Sequence, residues 1–227
     1  MKVKTKIFVQ QPAGIELVSF LEAVSLKCDG VQLYLNEANK DSIPHWQEVR
    51  EHLDRFGLST MVHLRPDYSL ADLRAARVLA GDLGIYIIHY EQSQSLQPLP
   101  WGILGLENAL FGINSRYHYI WLHESTKVGR IPVFDIPRLF KESDPEKAHQ
   151  EMLNVLDLLD HYILHLIDFK DQRQDRSDFV PLGQGILSPY LQQITWKKRP
   201  MAVVLEFEDL EQSFQSFPFV NSLFGNS

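Results

Sequence analysis

The 227-residue chain is 44% hydrophobic and 22% charged, the balance of an ordinary globular protein long enough to bury one large core or two small ones. Its formal charge of -7 argues against nucleic acid as the main partner, because such binders usually present a net basic face. Cys28 is the only cysteine, so no intrachain disulfide can form and a reducing compartment is the natural setting. No apolar stretch approaches the roughly 20 residues of a membrane helix. The start "MKVKTKIFVQ" leads into a strand without a signal-type apolar stretch, so the protein is expected to be cytoplasmic, with no membrane partner.

Apolar runs of strand length alternate with amphipathic segments. "KIFVQ" predicts the first strand and "IELVSFLEAVSLK" the first helix. "GVQLYL" follows, then a helix opening near Ser42 and Pro44 and ending at Gly57. The third unit is "LSTMVHL" with "SLADLRAARVLAGDLG", where Ser69 and Asp72 have the spacing of a capping box. After the fourth strand, "IYIIHY", the rhythm weakens, and the Gln- and Pro-containing span 92–100 reads as a loop. The fifth strand, "GILGLEN", has only a weak helical pattern behind it, from Ser115 to Leu122. The sixth, "IPVFDI", precedes a helix starting near Asp144 and Pro145. The seventh opens "YILHLIDFKD", and its loop closes on "PLGQG" before a helix "SPYLQQITWKK". The eighth, "MAVVLEFE", precedes "LEQSFQSF".

Short, nearly continuously apolar strands alternating with helices imply a parallel sheet with its outer face covered. Eight such units predict one (β/α)8 TIM-barrel domain spanning 1–227. The competing open sheet usually carries Gly-x-Gly-x-x-Gly after its first strand, and here that position reads "QQPAGIE".

In such a barrel the loops after the strands build the active site. His63, His89, Glu107, Asp135, His165 and Glu206 end six of the eight predicted strands. Each has a plain alternative: a hydrogen-bonded structural histidine, a turn cap at Asp135 before Pro137, a solvated strand end at Glu206. Glu107 is the most telling, because "LGLENAL" surrounds it with apolar neighbours, where an unpaired carboxylate is costly. Together Glu107, Asp135, His165 and Glu206 offer a mainly oxygen-donor setting for one divalent cation, Mn²⁺, Mg²⁺ or Co²⁺, with Zn²⁺ less natural.

These pieces, "GLEN", "VFD", "LHLIDFKD", "PLGQG" and "VVLEFE", resemble in order and across the whole chain the xylose-isomerase-like TIM-barrel superfamily. That superfamily includes sugar-phosphate isomerases and epimerases, ketose 3-epimerases and the nucleases related to endonuclease IV. The resemblance implies that Glu107, Asp135, His165 and Glu206 are the metal ligands. It also implies that Glu107 and Glu206 move protons on opposite faces of a small carbohydrate substrate. His63 and His89 are similar to the additional histidines with which the nuclease members bind further metals. There are departures. Arg138 stands where a histidine is common, no histidine precedes "LGQG", and Gln184 replaces the usual glutamate.

The expected function is therefore a divalent-metal-dependent isomerase or epimerase of a small sugar, sugar acid or sugar phosphate, working through an enediolate. The alternatives are a barrel that binds ligand or metal without turnover and, further behind, a metal-dependent phosphoesterase or endonuclease. Expected substrate contacts are His63, His89, Arg138 and Lys170, with Arg173 and Arg176 completing a cationic rim. The other account of that loop is a solvated one, since Asp171, Asp175 and Asp178 interleave with the cations.

Overall fold

In the computed structural model, described for residues 4–11, 16–35, 43–65, 68–81, 84–91, 102–171 and 176–225, eight parallel strands close into a barrel. In chain order these are β1 (Lys6–Gln10), β2 (Gly30–Tyr34), β3 (Ser59–His63), β4 (Ile85–His89), β5 (Ile103–Glu107), β6 (Arg130–Asp135), β7 (Ile163–Leu166) and, after a small hairpin, β10 (Ala202–Leu205). Each strand pairs with the next, and β10 pairs with β1 to complete the ring. Helices α1 (Leu17–Val24), α2 (Ile43–Phe56), α3 (Leu70–Leu79), α4 (Ser115–Ser125), α6 (Pro145–Leu158), α7 (Ser188–Gln192) and α8 (Leu210–Phe224) intervene between strands, together with a one-turn helix α5 (Pro137–Phe140). The TIM barrel expected from the sequence is the fold observed.

The strand period of two sorts the side chains. Residues of one parity, such as Val9, Val31, Leu106, Phe134 and Leu164, join the large core between sheet and helices. The other parity fills the barrel with Phe8, Met61, Ile85, Ile87, Ile131, Val133, Ile163, Ala202 and Val204. Space inside is tight. A side chain at Gly30 would collide with the Phe8 ring, and one at Gly105 would come within 2.9 Å of Val133 and 3.0 Å of Ile87. Two residues further along the same strands, the inward positions are His63, His89, Glu107, Asp135, His165 and Glu206. The interior thus changes from apolar to ionisable at the C-terminal end of the sheet.

Local caps fix the helices where the sequence places them. Ser69 and Asp72 form the capping box expected for α3. Asp144 accepts from the Lys147 amide ahead of Pro145 in α6, and Asn114 caps α4, a full helix where the pattern was weak. Tertiary contacts explain that strength: Trp121 is fully buried, packs tilted against Phe134 at 5.8 Å and donates to the Leu106 carbonyl at 2.8 Å. The helix expected from Ser188 through Lys198 stops at Gln192. Beyond it Trp196 packs on Phe224 at 4.6 Å, a tertiary contact that overrides local propensity. The loop after β7 holds an unforeseen antiparallel hairpin, β8 (Asp168–Phe169) with β9 (Phe179–Val180). Ser42, Arg173, Asp175 and the 92–100 span lie outside the described residues. No described helix is long and apolar enough to cross a membrane.

Candidate metal centre

Six ionisable side chains converge at the barrel mouth, each from the end of a different strand. Ladder register brings them side by side: His89 pairs with Glu107 across β4 and β5, and Asp135 with His165 across β6 and β7. Glu107 is the hub, and it is 1% exposed. Its Oε2 lies 3.0 Å from His63 Nε2 and 3.2 Å from His165 Nδ1. Its Oε1 accepts from Arg138, at 2.7 Å from Nη2 and 3.2 Å from Nε. Glu206, one residue past β10, places Oε1 3.0 Å from the same His165 Nδ1.

His165 is fully buried, yet neither ring nitrogen makes a directed hydrogen bond. Nδ1 stands between two carboxylate oxygens without aiming a proton squarely at either. Ligand atoms arranged around an ion have this geometry, because all of them point at a common centre rather than at each other. Glu107, His165 and Glu206 present one such group of mutually close ligand atoms, and His63, His89 and Glu107 present a second.

Asp135, expected as a fourth ligand, is placed in neither group. Its Oδ2 instead meets Arg138 Nε at 2.5 Å. The one-turn helix α5 explains this, for it begins at Pro137 and swings Arg138 back over the strand end that carries Asp135. Asn108 clamps the Asp135 backbone from β5, accepting from its N–H at 2.7 Å and donating to its carbonyl at 3.2 Å.

The mouth is short of positive charge. Burial pushes Asp135 up to about 7, with Arg138 opposing the rise and Glu107 and Glu206 adding to it. Burial would also raise Glu107, but the His165 and His63 imidazoles hold it well below the usual carboxylate range. Glu206 is likewise lowered against its burial by His165. Burial would lower His165, yet Glu206 and Glu107 carry it to about 10. Burial keeps His89 below its ordinary value despite Glu107. Three crowded carboxylates sharing two cations form a natural receptor for a further cation.

Among the expected substrate contacts, His63 and Arg138 are in the mouth, and His89 is half-buried at its edge. Lys170 is exposed beside the β8–β9 hairpin, where its N–H donates to the Asp178 carbonyl at 3.0 Å. A further residue was not foreseen. Gln32 is fully buried and donates its Nε2 to Glu206 Oε1 at 2.9 Å and to Gln10 Oε1 at 3.1 Å. The signal was present in "GVQLYL": a lone amide at inward parity, in an otherwise apolar strand.

No protein-family model and no curated protein matches the chain. Solved structures do. A D-tagatose 3-epimerase-like protein superposes with a TM-score of 0.62 at 15% identity, covering 96% of this chain and 97% of its own. A xylose isomerase domain protein from Planctomyces limnophilus does so with a TM-score of 0.62 at 13% identity, over 100% of both chains. The shared fold is the (β/α)8 TIM barrel. A third such barrel, the TTHB071 protein from Thermus thermophilus soaked with zinc chloride, gives a TM-score of 0.60 at 20% identity over 97% of this chain and 98% of its own. Identities this low speak for the barrel fold alone, and function has to be argued from the mouth itself.

Proposed function

We propose that the mouth binds one divalent cation through Glu107, His165 and Glu206 and that the protein is an isomerase or epimerase of a small sugar, sugar acid or sugar phosphate. The observation that carries this reading is His165 Nδ1, buried between carboxylate oxygens at 3.0 and 3.2 Å without a directed hydrogen bond. Mn²⁺, Mg²⁺ and Co²⁺ suit the carboxylate-rich donors, and the zinc-soaked structural neighbour makes Zn²⁺ a fourth ion to test. A bound ion of this kind supplies Lewis acidity, polarising a substrate carbonyl and acidifying the neighbouring carbon.

The residues divide the remaining work. Glu206 keeps 20% of its side chain open, is held ionised, and is oriented by Gln32. It is the proton acceptor. Glu107, on β5, delivers a proton to the other face, the assignment implied by the likeness of "GLEN" and "VVLEFE" to the sugar epimerase group. Being held ionised, it takes that proton from solvent, while the one accepted by Glu206 is released there. His63, stacked on Tyr34 at 4.9 Å, and His89 line the wall on which substrate hydroxyls rest. The likeness in fold to a D-tagatose 3-epimerase-like protein and a xylose isomerase domain protein supports the choice of carbohydrate.

A second reading has its own observation: Arg138 bridges Glu107 and Asp135, closing part of the mouth as a barrel that binds without turnover would. Incubation of the Mn²⁺-loaded protein with a panel of ketoses and sugar phosphates in deuterium oxide separates the two. The first reading expects deuterium at a substrate carbon, reduced at least 100-fold by Glu206→Gln. Retention of a sugar without exchange would favour the binding barrel.

A further inference from the structure

Arg138 stands where a second cation would stand. The two groups of ligand atoms at the mouth share Glu107. Oε2 faces His165 Nδ1 at 3.2 Å, in the group completed by Glu206. In the second group Oε1 lies 3.4 Å from His89 Nε2, and Oε2 lies 3.0 Å from His63 Nε2. Beyond the shared Glu107, the guanidinium reaches a member of the second group, His89. Its Nη2 is 2.7 Å from Glu107 Oε1 and 3.5 Å from His89 Nε2, so a cationic nitrogen already sits against two atoms that an ion there would need.

This guanidinium is not a loose surface group. Nε meets Asp135 at 2.5 Å, Nη1 donates to the Ala109 carbonyl at 3.0 Å, and the side chain is 16% exposed. On the outer side, the Phe111 ring lies 5.0 Å from its Cζ. Five donors in a rigid fork suit a part that must stay in place. Charge points the same way. When all three are ionised, Glu107, Asp135 and Glu206 carry three negative charges, which Arg138 and one divalent ion balance. A second divalent ion would leave two uncompensated positive charges in a mouth whose ligands are almost wholly buried, which is strongly unfavourable.

We infer that Arg138 is a built-in cation that restricts the mouth to one divalent ion, by occupying the His63–His89–Glu107 group and holding Asp135 aside. It acts as a positioning residue, since it sets how many ions bind rather than touching the reacting atoms. The inference rests on the metal reading proposed above, and its test separates the two. Chelator-treated wild type, Arg138→Met and Arg138→Gln, each checked for folding by circular dichroism, are dialysed against Mn²⁺ and their bound metal is measured by elemental analysis. One ion per chain is expected for wild type and two for whichever neutral variant folds, returning to one when His89→Ala is added. Electron paramagnetic resonance should then report an isolated ion in wild type and a spin-coupled pair in the variant. If the neutral variants still take one ion, or wild type takes two, the role assigned to Arg138 is overturned while the metal reading stands. If wild type takes none, the metal reading falls and this inference falls with it.

Discussion

Asp168 and Glu107 are both buried carboxylates near the C-terminal end of the sheet, 0% and 1% exposed, yet their surroundings differ in kind. Asp168 accepts from the amides of Phe169, Gly185 and Leu187 at 3.0, 3.0 and 2.9 Å and from the Ser188 hydroxyl. Apart from Phe169, those donors lie on the turn that closes the loop after β7, and Gly185 approaches so closely that any side chain there would strike the Asp168 carboxylate. Its work is finished on folding: it anchors "PLGQGILS" to the hairpin. The partners of Glu107 are His63, His165 and Arg138, which all carry or exchange charge. Burial alone therefore does not mark a functional carboxylate. What distinguishes the two is whether the partners saturate the group with neutral donors or gather around it with unfinished coordination.

The largest effect that sharpens this contrast is expected at Asp168. Asp168→Ala leaves three amides and a hydroxyl without their acceptor and should cost about 3–5 kcal/mol of stability, read from urea unfolding. Mn²⁺ binding by the folded fraction should be unchanged, and a loss of metal binding with little loss of stability would reverse the roles of the two carboxylates. Glu107→Gln should do the opposite. Its stability cost in the metal-free protein is expected to be about 1 kcal/mol, because Arg138 keeps Asp135 and His165 keeps Glu206. Its Mn²⁺ affinity, measured by titration calorimetry, should fall at least ~100-fold, the upper end of what outer-shell partners contribute.

A smaller, graded effect is expected from pH. The two glutamates carry His165 to about 10 in the metal-free protein, so the imidazole is protonated at neutral pH and must lose that proton to become a ligand. Metal and proton compete, so Mn²⁺ affinity should rise about tenfold per pH unit from pH 7 toward 9 and level off near 10. Calorimetry in buffers of different ionisation enthalpy should detect about one proton released per ion. Affinity independent of pH over that range would place the ion away from His165.

The barrel was legible because its evidence is periodic and repeated: short apolar runs spaced by amphipathic helices need no single residue to be right. The mouth was legible in outline, since polar residues ending apolar strands share one parity and therefore one direction. Its finer arrangement was hidden by tertiary geometry. Nothing in "VFDIPRLF" announces that Pro137 starts a helical turn that brings Arg138 onto Asp135. Gln32 carried a signal, an inward amide in "GVQLYL", but its meaning depends on Glu206 lying across the closure of the barrel, which only β1–β10 pairing supplies. Lys170 points the other way. A charged loop near a strand end looks like a rim from sequence, whereas its described backbone folds into the hairpin and leaves this side chain in solvent.

The most direct measurement is a crystal structure of the protein soaked in Mn²⁺, with anomalous scattering used to find the ion. A single peak within ~2.0–2.4 Å of Glu107 Oε2, His165 Nδ1 and Glu206 Oε1, with Arg138 still on Asp135, is the predicted result. An empty mouth, or manganese lodged at Asp168 or elsewhere on the barrel, would contradict the account.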